Sequence, residues 1–198
     1  SSAASDVYKR QIETGVSTLE LDIVMSKDGI PVVWHDPDVQ AEKCHDTAPA
    51  TPNDHMYPYV GKLVHNLNWS QLQTLSCDKK LADFPGQKVA KDNRMIQLKD
   101  VFDIVKKYGA EKDIYYNIET KVEADDHSKS AEPKEFVDAI MGAVKDAGVQ
   151  DKVMIQSFDW RTFPLMKDVA PEVPLVMLYD ETTWLKDSKW TGDVNYDD

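Results

Sequence analysis

An α/β fold built on a parallel sheet is the class this sequence predicts, and three observations lead to it. Short β-rich runs at residues 114–120, 153–158 and 175–179 alternate with segments of helical period at 99–108 and 133–147. The links between them are short, the pattern of strand–helix–strand crossovers. Acidic residues fall at strand positions that share a face, Glu20 and Asp22 early and Glu119 later. In a strand, residues two apart point the same way, so Glu20 and Asp22 face opposite to Leu19, Leu21 and Ile23.

Taken in order, residues 1–11 show no usable periodicity and are expected to be a non-native or disordered lead. Residues 12–198 are read as one domain, or part of one, because 198 residues bury one sizeable core and no break in composition marks a second. After the Glu20 strand, Asp28-Gly29 is a tight-turn dipeptide. A two-residue hairpin there would set Asp22 directly opposite His35; two successive barrel strands would instead carry the acids and the histidine at their ends. Residues 40–66 are rich in Pro, Asp and His without a strong period, an inserted loop of functional length. Asn68 can cap a short helix to Leu75, and Gly109 stops the helix at 99–108, whose stripe is Val101, Ile104 and Val105. The strand at 114–120 puts Asn117, Glu119 and Lys121 on one face. The helix at 133–147 closes on Gly148, and Asp159 can cap the helix after the buried strand at 153–158.

Composition narrows the partners. A formal charge of −12 argues against nucleic acid, which is bound by an excess of Lys and Arg. It leaves a small phosphate substrate open, since a bound cation inverts the local field. No apolar run reaches the roughly 20 residues that span a bilayer. Cys44 and Cys77 flank the loop containing Pro49, Pro52 and Pro58. Paired, they would add about 3 to 4 kcal/mol in the chain-entropy account and imply a secreted or otherwise exported protein. Unpaired, they are two buried thiols.

Acids alternating with Leu and Ile are commonly the wet face of an amphipathic strand, and a His-Asp pair often closes a strand without function. Their coincidence shifts the balance. Glu20, Asp22 and Glu119 offer hard oxygen ligands suited to one divalent cation, Ca²⁺ or Mg²⁺, rather than zinc. Lys121 can meet a phosphate oxygen as a point charge, and His35 can exchange a proton near neutral pH. Cation, ammonium and acid–base group are the components of phosphodiester hydrolysis.

Glu20-Leu21-Asp22, the run from Lys27 to Val33, His35-Asp36 and the run from Asn117 to Lys121 resemble the successive motifs of the glycerophosphodiester phosphodiesterase family. Gln156-Ser157-Phe158 resembles its later strand, so the likeness covers about residues 15–179. The resemblance implies a TIM-type (β/α)8 barrel with its site at the C-terminal strand ends. It also implies hydrolysis of a glycerophosphodiester, such as glycerophosphocholine, to glycerol 3-phosphate and an alcohol. By the same resemblance Glu20, Asp22 and Glu119 hold the metal, His35 is one of two catalytic histidines and Lys121 contacts phosphate. The stretch from Cys44 to Cys77 looks like the exported members.

Two departures stand out. The family's opening His-Arg-Gly, source of the other catalytic histidine, has no match, and its closing strands are missing after Trp190. A barrel of this kind takes about 250 residues, so the chain is expected to be incomplete at both ends and weak or inactive by itself. His45, His55, His65 and His127 are expected to be solvated. Competing readings are a phospholipase D-like or C-like barrel with a lipid-facing rim, and a noncatalytic phosphate- or carbohydrate-binding barrel. The Asp and Lys around Trp184 and Trp190 argue against assigning those rings to such a rim, and they are expected instead in the core or at an edge.

Overall fold

The computed structural model of the chain describes residues 3–79 and 93–194. Its frame is one five-stranded sheet in the order β2-β1-β3-β4-β5, with β1 (Thr18–Met25), β2 (Pro31–Val33), β3 (Tyr115–Thr120), β4 (Val153–Ser157) and β5 (Leu175–Met177). Strands β1, β3, β4 and β5 are parallel, and β2 alone runs antiparallel, on β1. Among the described residues the sheet is open.

Alternation within each strand separates two faces. Leu19, Leu21 and Ile23 of β1, Tyr116 and Ile118 of β3, and Val153 and Ile155 of β4 are buried in one apolar cluster. The cluster is closed by α3 (Leu98–Lys107), α4 (Pro133–Ala147) and α5 (Thr162–Val169) through Val101, Phe102, Phe136, Ile140 and Met166. Phe102 meets Tyr116 edge to face at 4.8 Å, a favourable aromatic arrangement. The opposite face carries Glu20, Asp22, Asn117, Glu119 and Gln156. The helices thus cover one side of the sheet and leave the acids on the other.

Local signals explain the helix ends. Pro133 opens α4, and Gly148 closes it at φ 69°, a left-handed conformation that costs a side-chain-bearing residue energy. Helix α3 begins one residue earlier than its apolar stripe suggests, because Gln97 and Asp100 form a reciprocal capping box. The short helix α2 (Trp69–Leu72) is capped by Asn68 and ends before Leu75.

Several expectations are corrected. Of the non-native or disordered lead expected over residues 1–11, disorder does not hold for α1 (Ala3–Glu13), which is helical and sets Tyr8 and Ile12 against the main cluster. Asp159 does not cap α5: Arg161 holds the cap position, and Asp159, fully buried, binds its guanidinium with both oxygens. The hairpin pairs Ile23 with Val33 and Met25 with Pro31, so Trp34, not His35, lies opposite Asp22. The reason is loop length. Ser26 N–H donates to Ile30 O and Gly29 takes φ 78°, which makes a three-residue loop of Lys27, Asp28 and Gly29 in place of a two-residue one. One extra loop residue moves every cross-strand partner by one.

The insertion has its own small core. Val39, Tyr59, Val64, Leu67, Leu72 and Leu75 pack with Val24, Val32 and the bonded cysteines. Tyr59 is fully buried, with its hydroxyl donating to Asp54 Oδ2 at 2.5 Å and accepting from Ala50 N–H at 2.8 Å.

Candidate active site

The site follows from strand register. Parallel pairing sets Asp22 of β1 beside Glu119 of β3, and Glu119 beside Gln156 of β4; one level earlier Glu20 lies beside Asn117. Neighbouring strands are about 4.8 Å apart, so side chains on one level of one face come within reach of each other. The ladder continues one residue past β3, where Lys121 N–H donates to Ile23 O at 3.0 Å. That bond returns the Lys121 side chain to the acids, with Nζ 2.5 Å from Glu119 Oε2 and 3.9 Å from Asp22 Oδ1.

Glu119 is 5% exposed, and burial, reinforced by a hydrogen bond with the Asp22 carboxyl, pushes its own carboxyl up to about 7 against the opposing pull of Lys121. Two carboxyls in contact cannot both ionise cheaply, and one ammonium does not satisfy both. Glu20 is held separately: Gln156 Nε2 donates to Glu20 Oε1 at 3.2 Å, reaching across β3. Asn117, on the Glu20 level between them, has a buried Oδ1 with no hydrogen-bond partner. Sequence reasoning did not single out Gln156 as the Glu20 partner or Asn117 as an unpaired acceptor. Their place on the acid face was available from alternation alone.

His35 stands one residue beyond Trp34, whose N–H donates to Asp22 O at 3.1 Å. Its ring is 63% exposed and its Nδ1 lies 3.1 Å from Asp36 Oδ1. The structure therefore sets His35 one residue past the position opposite Asp22, with Asp36 as its hydrogen-bond partner and none among Glu20, Asp22 and Glu119. Of the other histidines, His45 pairs with Asp78 at 3.2 Å and His127 with Glu132 at 2.8 Å. His65, expected to be solvated, is half-buried with its Nδ1 shielded and unpartnered. Cys44 and Cys77 are bonded, as one reading of the sequence held. Trp184 and Trp190, expected in the core or at an edge and not on a lipid-facing rim, are engaged with protein: Trp184 packs 5.1 Å from Trp160, and Trp190 Nε1 donates to Asp125 at 2.8 Å.

Among the described residues no three His, Cys, Asp or Glu side chains are arranged to hold a metal ion. The donor chemistry nonetheless suits a hard divalent cation. Asp22 and Glu119 share a deficit of positive charge, and the unpaired Asn117 oxygen faces the same side of the sheet. Within the described residues no helix is long and apolar enough to cross a membrane.

The model of the Glycerophosphoryl diester phosphodiesterase family matches residues 6–196. A curated glycerophosphodiester phosphodiesterase of Caldanaerobacter subterraneus is 26% identical over 172 residues, which is 87% of this chain and 58% of that protein. Among solved structures, a protein of Silicibacter pomeroyi assigned as a glycerophosphoryl diester phosphodiesterase is similar at TM-score 0.72 and 21% identity. It matches over 92% of this chain and 63% of its own. An Oleispira antarctica phosphodiesterase, solved with the product sn-glycerol-3-phosphate, is similar at TM-score 0.63 and 18% identity, over 87% of this chain and 58% of its own. The expected TIM-type barrel agrees with these neighbours, and this chain spans about three fifths of their length.

Proposed function

Because this chain belongs to the glycerophosphoryl diester phosphodiesterase family, we propose that it takes part in hydrolysis of glycerophosphodiesters to glycerol 3-phosphate and an alcohol. The observation that carries this reading is the register of Asp22 beside Glu119 with Lys121 folded back onto both. The product bound in the Oleispira protein supports the choice of a glycerol phosphate.

Glu20, Asp22 and Glu119 would hold one divalent cation, Ca²⁺ or Mg²⁺, with Asn117 as a neutral oxygen nearby. Such a cation, when bound, offsets charge on a nonbridging phosphate oxygen and lowers the barrier to displacement. Lys121 would then be released from Glu119 to meet phosphate, adding a second positive charge where negative charge grows. Gln156 keeps Glu20 turned along the acid face. His35 exchanges a proton with the attacking oxygen or with the leaving alkoxide. The Cys44–Cys77 bond supports an exported location, because such bonds persist in oxidising compartments.

The test is release of glycerol 3-phosphate from glycerophosphocholine by this chain, with and without a chelator, beside His35→Ala. Chelator-sensitive release that falls in the variant supports the proposal. Release by His35→Ala equal to wild type, or release indifferent to chelator, removes the corresponding role.

A further inference from the structure

An imidazole has two nitrogens, and the one bonded to a carboxylate keeps its proton and leaves the other to exchange. His35 Nδ1 lies 3.1 Å from Asp36 Oδ1. An exposed ion pair of adjacent residues is by itself worth little. Here the carboxylate is anchored on its far side as well. Asp36 is 16% exposed, and its Oδ2 accepts from the Lys43 ammonium. Burial would raise the Asp36 carboxyl, yet hydrogen bonds from Lys43 and His35 bring it below its ordinary value. Lys43 is itself placed: its Nζ lies 5.6 Å from the centre of the Trp34 ring, and Lys79 N–H donates to its carbonyl at 3.3 Å. The next residue, Cys44, is bonded to Cys77. Trp34 in turn is tied by its N–H to Asp22 O. Contacts therefore branch from Lys43 of the insertion, to the His35 partner Asp36 on one side and, by the Trp34 ring and backbone, to the Asp22 strand on the other.

We infer that Asp36, clamped by Lys43, is a positioning residue for His35 that holds the proton on Nδ1 and leaves Nε2 as the exchanging atom. The insertion, through Lys43, supports the site without touching substrate. This inference rests on the acid–base role proposed for His35. It adds a tautomer, a partner and a contribution from the insertion.

The test reads the tautomer directly. Long-range ¹H–¹⁵N correlation spectra of histidine-labelled chain, recorded where the ring is neutral, show which nitrogen bears the proton and need no turnover. Wild type is expected to give the Nδ1–H pattern for His35. Asp36→Ala moves it toward Nε2–H, and Asp36→Asn does so less, because its amide oxygen can still accept. Lys43→Met gives a smaller change in the same direction, which Lys43→Arg reverses. Measured in parallel, kcat for glycerophosphocholine falls about tenfold to a hundredfold in Asp36→Ala with KM little changed, a part of the usual worth of acid–base catalysis. An Nε2–H pattern in wild type, or an unchanged Nδ1–H pattern in Asp36→Ala, overturns the inference. If His35→Ala turns over like wild type, the acid–base role falls and takes this inference with it. If His35→Ala loses turnover while Asp36→Ala keeps both turnover and tautomer, only this inference falls.

Discussion

Replacing Glu119 by Gln should change how the stability of this chain depends on pH, and the sign follows from the site. Burial and the Asp22 contact lift the Glu119 carboxyl from 4.5 to about 7. Between those values the folded chain holds a proton that the unfolded chain has released. Stability therefore falls as pH rises through this window, and the deficit is complete above it. At about 1.4 kcal/mol for each pH unit, the interval corresponds to about 3 kcal/mol, with little screening to discount because Glu119 is 5% exposed. Gln is neutral throughout and nearly isosteric, so Glu119→Gln removes this dependence. The assay is urea unfolding of both proteins at about pH 5 and about pH 8 in chelator, which keeps stray cations from stabilising the ionised pair. The variant should gain on wild type by about 2 to 3 kcal/mol between the two conditions. Equal loss in both proteins would refute the reasoning, since Glu119 would then be ionised in the folded chain at both pH values.

Three further outcomes follow from the same structure. Lys121→Met removes the ammonium that opposes the rise of the Glu119 carboxyl, so in the same urea series the stability loss attributable to Glu119 starts at the same pH but extends to higher pH and grows. Reducing the bond between Cys44 and Cys77, 33 residues apart, should cost about 4 kcal/mol in the chain-entropy account and lower Tm by about 8 to 15 °C, read by calorimetry. Gly148→Ala should cost about 1 kcal/mol, measured by urea unfolding. The φ of 69° alone penalises the new Cβ, which meets nothing within 4 Å.

Legibility differed with the range of the interaction. Helix α4 was readable to its ends, because Pro133, the apolar stripe of Phe136, Ile140 and Val144, and Gly148 are local signals that agree. The strands were readable from alternation, and so was the face that carries Glu20, Asp22, Asn117 and Glu119. The hairpin register was not, because Asp28-Gly29 suits a two-residue loop or the end of a three-residue one. The choice is made by Ser26, whose hydroxyl meets Asp28 at 2.6 Å and Ile30 N–H at 2.9 Å. The core of the insertion was hidden for a different reason. Tyr59, Leu67 and Leu75 lie in irregular chain, where no period announces burial. Likewise Asp159 had two candidates within reach, the turn after it and the Arg161 side chain, and it serves both: the guanidinium meets both carboxylate oxygens while Arg161 N–H donates to Oδ1 at 3.1 Å.

The one antiparallel strand has a functional consequence that the parallel ones do not. Strands β1, β3 and β4 enter the sheet from the same end, so Asp22, Glu119 and Gln156 share a level only through crossovers that carry α3 and α4. A further parallel strand would bring its own C-terminal residue to the site only after another crossover of a dozen or more residues. The hairpin reverses the chain in three residues and returns Trp34 to Asp22, with His35 and Asp36 directly behind. It also delivers the chain to the insertion on the acid side of the molecule, where Lys43 closes on Asp36. The Gly29 conformation is therefore coupled to the site. A side-chain-bearing residue at φ 78° would favour a different turn, and a change of one loop residue would exchange the positions of Trp34 and His35 across from Asp22.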